Sequence, residues 1–236
     1  MKLNSKLDEL SIVIPIYNEG KNIEKLWSGI KKNVKLKKLE IIYVDDNSKD
    51  NTAEILKRIK KKDKKLKFII RKDKQKDLSK SCILGFNNCK YSNILVMDGD
   101  LQHDPKYIPS LINKFNSSSI DIVVGCRDFF TSKNKGLNYF RTIASLFLIF
   151  LINSLLGKKT TDPMSGFFLF KKKIFLNSKK KFFKKGYKIL ADIIYNNKEY
   201  VKIKDVKINF KKRIYGESKI SFKVLLYLII FILKKI

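Results

Sequence analysis

The stretch Ile94-Leu95-Val96-Met97-Asp98-Gly99-Asp100-Leu101-Gln102-His103-Asp104-Pro105 decides how this chain is read. Its first four residues form an apolar run with the length of a short buried strand. Asp98 and Asp100 follow one residue apart, at the strand's end. Two carboxylates on so short a spacing make a hard oxygen site for a divalent cation. A cation there can bridge the carboxylates to a diphosphate and neutralise a departing anion. The alternative is an acidic turn, helped by Pro105.

Outward from this point the pattern alternates. Apolar, β-branched runs at 11–16, 39–44, 66–70, 94–97 and 120–125 predict strands. Segments 22–33, 53–62, 78–89 and 106–116 carry helical periodicity, the first with Asn22 as its expected cap and the second opened by Asn51 or Thr52. Strands alternating with helices of this length predict an α/β fold with a doubly wound, mainly parallel sheet. Ligands of such sheets bind beyond the carboxyl ends of the strands. The polar clusters fall at those ends: Tyr17-Asn18-Glu19, Asp45-Asp46, Asp98-Gly99-Asp100 and Arg127.

The second half changes character. Residues 137–156 read as a long helix containing the apolar run 143–152, and 161–166 as a turn. A strand at 167–170, a helix at 187–196, a strand at 201–210 and a basic loop at 211–219 follow. Residues 222–233 are almost wholly apolar and are followed by Lys234-Lys235. Neither apolar run reaches the roughly 18–20 uninterrupted residues of a spanning helix. The terminal run is read as a helix lying in a membrane interface or packed against a membrane partner; the alternative is an ordinary buried terminal helix. The expected organisation is one domain over 1–221 and a C-terminal interfacial helix over 222–236.

The chain has 236 residues, 44% of them hydrophobic, enough for a sizeable core, and a formal net charge of +30. That charge invites a nucleic-acid partner. It is overwhelmingly lysine, spread over nearly every polar helical face, with no aromatic interleaving and no zinc-ligand spacing, so a nucleic-acid partner is not expected. A basic surface also suits anionic lipid headgroups, at roughly 1 kcal/mol per well-placed Lys or Arg. The arginines are Arg58, Arg71, Arg127, Arg141 and Arg213. Among so many lysines an arginine suggests a place where a forked guanidinium matters, as in gripping phosphate. Cys82, Cys89 and Cys126 have no metal-type spacing and read as reduced, buried thiols. Residues 1–9 are polar, without the apolar region of a secretory signal.

Together the motifs resemble a GT-A fold glycosyltransferase of family 2, in its dolichyl- or polyprenyl-phosphate mannose synthase branch, over roughly residues 10–222. The matching segments are Ile14-Pro15-Ile16-Tyr17-Asn18-Glu19, Val44-Asp45-Asp46-Asn47-Ser48-Lys49-Asp50-Asn51-Thr52, the Val96–Pro105 stretch with Gly99 where Ala is usual, and Val124-Gly125-Cys126-Arg127. Asp162-Pro163-Met164-Ser165-Gly166-Phe167 and Arg213-Ile214-Tyr215-Gly216-Glu217-Ser218-Lys219 complete the series. The segment Asp73–Ser79 departs from the family, which usually has glycines there, and Asp128 stands where an aromatic is frequent.

The resemblance implies a metal-dependent transfer of a sugar, mannose from GDP-mannose, to a lipid phosphate with inversion. A UDP-sugar donor or a saccharide acceptor is the alternative. Pro15, Tyr17, Glu19 and Val44 would line the nucleotide, and Asp45 and Asp46 would accept hydrogen bonds from its base or ribose; the alternative for the two aspartates is an Asx turn. Asp98, Asp100 and Gln102 would coordinate Mg2+ or Mn2+, Gln102 projecting to the same side of an extended segment as Asp100. Arg127, Arg141, Arg213 and Lys219 would hold the two anions together. His103 is not expected to act as a base, because a lipid phosphate is already an anion at neutral pH. The implied setting is the cytoplasmic face of a membrane, peripheral or monotopic, with a separate membrane subunit as a possible partner.

Overall fold

The computed structural model describes residues 6–73, 75–117, 119–127, 149–154, 156–183 and 189–211. Seven strands form one sheet: β1 (Glu9–Ile16), β2 (Lys38–Asp45), β3 (Leu66–Ile70), β4 (Asn93–Val96), β5 (Ile122–Arg127), β6 (Phe168–Lys171) and β7 (Ile203–Ile208). Helices α1 (Gly20–Asn33), α2 (Thr52–Lys62), α3 (Leu78–Asn88) and α4 (Ile108–Asn116) connect the first five. The sheet order is β3-β2-β1-β4-β6-β5-β7. β1 pairs in parallel with both β2 and β4, so the winding reverses between β1 and β4. That reversal opens a crevice beyond the carboxyl ends of β1 and β4.

Alternate residues of each central strand feed opposite faces. Ile12, Ile14, Ile41, Tyr43, Leu95, Val123 and Leu169 face one layer, with Ile23, Leu26 and Ile30 of α1, Leu56 and Ile59 of α2, and Leu111 and Phe115 of α4. Val13, Ile42, Val44, Ile94, Val96, Val124, Phe168 and Phe170 face the other, with Cys82 and Phe86 of α3 and the helical residues Ile152, Phe175 and Ile193. Burial on both faces is why these strands read as continuous apolar runs. α3 lies opposite α1 and α2, as a right-handed crossover demands once the winding direction turns.

Three features differ from the sequence reading. Asn22 does not cap α1. The helix begins at Gly20, whose N–H donates to Asp50 Oδ2 (3.1 Å), while the Glu19 N–H donates to Thr52 Oγ1 (3.2 Å). The cap is supplied from across the fold, so no local rule finds it. The predicted helix at 106–116 opens with a 3-10 turn, Pro105–Tyr107, capped by the Asp104 carboxylate on Lys106 N, before α4 proper. β6 runs antiparallel between β4 and β5, and a helix at Lys172–Ser178 follows it directly. Most of the expected 137–156 helix, the basic loop beyond Lys211 and the terminal apolar run lie outside the described residues; residues 149–154 are helical.

Candidate active site

β4 delivers the acidic motif to the crevice. Met97 N donates to Val13 O (3.2 Å), which carries the β1–β4 pairing to the last residue before Asp98. Asp98 is partly open, its side chain 32% exposed, whereas Asp100 is 4% exposed. The segment beyond is not extended. Leu101 adopts φ +63°, and Asp100 Oδ1 accepts the Gln102 N–H (3.1 Å), an Asx-type turn. Gln102 therefore reaches its place through a turn, and its Nε2 donates to Lys211 O (3.1 Å). His103 is buried at 2% exposure, stacked on Phe167 with centroids 5.3 Å apart. Its Nδ1 accepts the Asp98 N–H (3.3 Å).

Two glycines make room for this loop. A Cβ on Gly166 would stand 2.6 Å from Asp98 Oδ2, so a side chain there would displace either the turn before β6 or the carboxylate. A Cβ on Gly99 would stand 2.5 Å from Ile16 Cγ2, which ties Gly99 to the close approach of β1.

The β1 and β2 ends interlock. Asn18 (φ +54°) donates its N–H to Ser48 Oγ (2.8 Å) and accepts the Lys49 N–H on Oδ1 (2.8 Å). Asp45 Oδ1 accepts the Ser48 N–H (3.0 Å). Burial raises the Asp45 carboxyl above its ordinary range, and the Ser48 bonds only partly offset this. Burial likewise raises Asp46, against the Asp77 N–H and the Arg71 guanidinium. Asp46 Oδ1 meets Arg71 Nη1 and its Oδ2 accepts the Asp77 N–H (2.7 Å). The sequence reading gave Arg71 no role. Yet it is 5% exposed and also donates to Asp77 O (3.0 Å), Ser81 Oγ (3.2 Å) and Asp73 Oδ2 (2.8 Å), so it holds the segment that lacks the family's glycines. An arginine at a strand end in a lysine-rich chain was its available signal.

Among the nucleotide-lining candidates, Tyr17 is half-buried with the Lys76 ammonium 3.6 Å from its ring centroid. Glu19 is buried and accepts the Asn22 Nδ2–H (2.7 Å). Pro15 and Val44 are paired in register between β1 and β2 and both are buried, Val44 wholly within the core.

Arg127, at the end of β5, forks onto Asp162: Nε to Oδ2 is 2.7 Å and Nη2 to Oδ1 is 2.8 Å. Burial alone would lower the guanidinium's pKa, but Asp162 and the nearby Asp98 outweigh it and the net shift is upward. The turn carrying Asp162 is pinned by Ser165, whose Oγ donates to Gly125 O (2.7 Å). Arg141, Arg213 and Lys219 lie outside the described residues.

Three comparisons with known proteins identify the family and the fold that carry this site. The model of glycosyl transferase family 2 matches residues 11–177. The chain belongs to glycosyl transferase family 2. It is 35% identical over 226 residues to a dolichol-phosphate mannosyltransferase of Pyrococcus furiosus, a match covering 92% of this chain and 60% of that protein. The dolichol-phosphate mannosyltransferase of Saccharomyces cerevisiae is 29% identical, over 92% of this chain and 83% of the relative. Among solved structures, glucosyl-3-phosphoglycerate synthase of Mycobacterium tuberculosis, in complex with Mn2+, UDP and phosphoglyceric acid, superposes with a TM-score of 0.70 at 15% identity, covering 96% of this chain and 76% of that one. The likeness is one of fold, and the GT-A architecture expected from the sequence is the one found.

For this family-2 chain the donor set bears on whether a metal fits. Among the described residues no group of three or more His, Cys, Asp or Glu side chains converges on one point. Asp98, partly open, and Asp100, buried, are two carboxylates just beyond the carboxyl end of β4, which suits a cation that takes its remaining ligands from substrate phosphates and water. Among the described residues no helix is long and apolar enough to cross a membrane.

Proposed function

We propose that this chain transfers mannose from GDP-mannose to a dolichyl or polyprenyl phosphate, with inversion and with the help of Mg2+ or Mn2+. The observation that carries the reading is Asp98-Gly99-Asp100 at the β1–β4 reversal, in a chain similar over 92% of its length to a dolichol-phosphate mannosyltransferase. Asp98, Asp100 and Gln102 would hold the cation, which supplies charge neutralisation for the departing diphosphate.

The chain's own residues bind and orient. The ends of β1 and β2, with Tyr17, Glu19, Asp45 and Asp46, form the wall against which the nucleoside lies, Asp46 acting through Arg71 and the 73–77 segment that it fixes. Arg127, Arg141, Arg213 and Lys219 are the cations assigned to the two phosphates; Asp162 holds the Arg127 fork in one orientation. The lipid phosphate is an anion at neutral pH and attacks without a general base. Its oxygen forms a bond to the anomeric carbon while the bond from that carbon to the diphosphate oxygen breaks, and GDP leaves. Holding two anions in line is the entropic and electrostatic task, and positioning of this kind is worth several kcal/mol.

A lipid-phosphate acceptor would bring the enzyme to a membrane surface, and we infer that this is the cytoplasmic face. Phe150, 64% exposed on the helical segment 149–154, and the lysines Lys158 and Lys159 close by offer an apolar and basic contact for it. A panel of nucleotide sugars assayed with a short polyprenyl phosphate and Mn2+ or Mg2+ tests the reading. Transfer from GDP-mannose is the expected result; turnover of UDP-sugars with none of GDP-mannose rejects the donor. Activity of the isolated chain on detergent-dispersed lipid shows whether a membrane subunit is needed.

A further inference from the structure

The residues that follow β7 reach back onto the acidic loop. Lys211 N donates to Gln102 O (3.1 Å) and Gln102 Nε2 donates to Lys211 O (3.1 Å), a two-bond ladder. Lys211 Nζ stands 2.7 Å from Asp104 Oδ2. Phe210 meets His103 edge-on, with ring centroids 5.3 Å apart, and His103 in turn accepts the Asp98 N–H. One strand extension thus touches Gln102, His103 and Asp104 in succession. The ladder fixes the Gln102 carboxamide with Nε2 towards the Lys211 carbonyl. Backbone bonds alone would allow the two segments to slip. The Lys211 ammonium adds a side-chain tie between them, to an Asp104 side chain only 15% exposed. Leu101 keeps its left-handed conformation, uncommon for a side chain of its size, within this grip.

We propose that Lys211 and Asp104 are a positioning pair that orients Gln102 and so sets the affinity of the Asp98–Asp100–Gln102 loop for a divalent cation. The inference rests on the metal reading given above. Groups that orient a ligand from behind commonly tune metal affinity.

The test is Mn2+ binding to the full chain with saturating GDP, measured by calorimetry, for Lys211→Met, Asp104→Asn, their combination, Lys211→Arg and Asp100→Ala. Asn at 104 can still cap the 3-10 turn, and position 211 is exposed, so these variants fold. Lys211→Met and Asp104→Asn should each weaken Mn2+ about tenfold, the combination no further, and Lys211→Arg should keep the parent affinity. GDP binding in EDTA should not move. Mn2+ affinity unchanged in Lys211→Met and Asp104→Asn, with Asp100→Ala deficient, overturns the pair and leaves the metal site standing. An equal loss of GDP affinity in EDTA overturns it as well, since the defect is then general. Unchanged Mn2+ affinity in Asp100→Ala overturns the metal reading itself.

Discussion

Arg127 and Asp162 meet as a two-pronged ion pair across the end of β5, at 2.7 and 2.8 Å, with the Asp162 side chain wholly buried and Arg127 18% exposed. A carboxylate so placed is tolerated only because the guanidinium meets both of its oxygens. Asp162→Ala leaves the cation without its counter-charge in a desolvated place. It should lower stability by about 3–5 kcal/mol in urea unfolding. Replacing both partners by apolar residues should cost far less than the two single changes added together, because each single change strands the other charge. A loss below about 1 kcal/mol for Asp162→Ala, the range of exposed pairs, would mean that water reaches the pair.

The Gly166 turn makes a separate prediction. Its added Cβ would meet Asp98 Oδ2 at 2.6 Å, so Gly166→Ala must move either the turn or the carboxylate. Transfer should fall by about a hundredfold, the scale of a 1 Å misplacement at a reacting centre, while the unfolding midpoint changes little. Parent-like turnover in this variant would mean that the turn, and not the Asp98 carboxylate, gives way.

Metal removal addresses the same carboxylates from outside. EDTA should abolish transfer, and Mn2+ or Mg2+ should restore it. Asp100→Ala should bring the treated and untreated enzymes to a common low rate. Full transfer in EDTA would show that the acidic loop serves only as a turn.

The first half of the sheet was legible because its signals are local. Apolar runs fix β1 to β4, and helical spacing such as Ile23, Leu26 and Ile30 fixes the crossovers. The same periodicity located Asp98 and Asp100 at a strand end. What escaped depends on partners far along the chain. Arg71 reaches Asp46 across 25 positions, Asp162 reaches Arg127 across 35, and the cap of α1 comes from Asp50. The insertion of β6 between β4 and β5 is a matter of strand direction, which an apolar run such as Phe168–Lys171 does not encode. Gln102 was placed in the acidic loop for a reason that fails, since the loop turns at Leu101.

Asp63 offers a pH test with a built-in reporter. Trp27, the chain's single tryptophan, donates its indole N–H to Asp63 Oδ2 at 2.9 Å, and Lys31 Nζ lies 3.0 Å from the same oxygen. Burial alone would raise the Asp63 carboxyl, but the Trp27, Lys65 and Lys31 contacts outweigh it and hold the folded-state pKa below the ordinary 3.8. A depressed folded pKa means that folding favours the ionised form. The stabilisation is therefore fully present above 3.8 and is lost as pH falls through the lower folded value. Asp63→Asn removes the titration while leaving an amide oxygen for the indole. The parent's urea midpoint should fall more steeply than the variant's between about pH 4 and pH 2, and Trp27 emission in the parent should shift over the same interval. Identical acid slopes in the two proteins would show that another carboxylate governs this window.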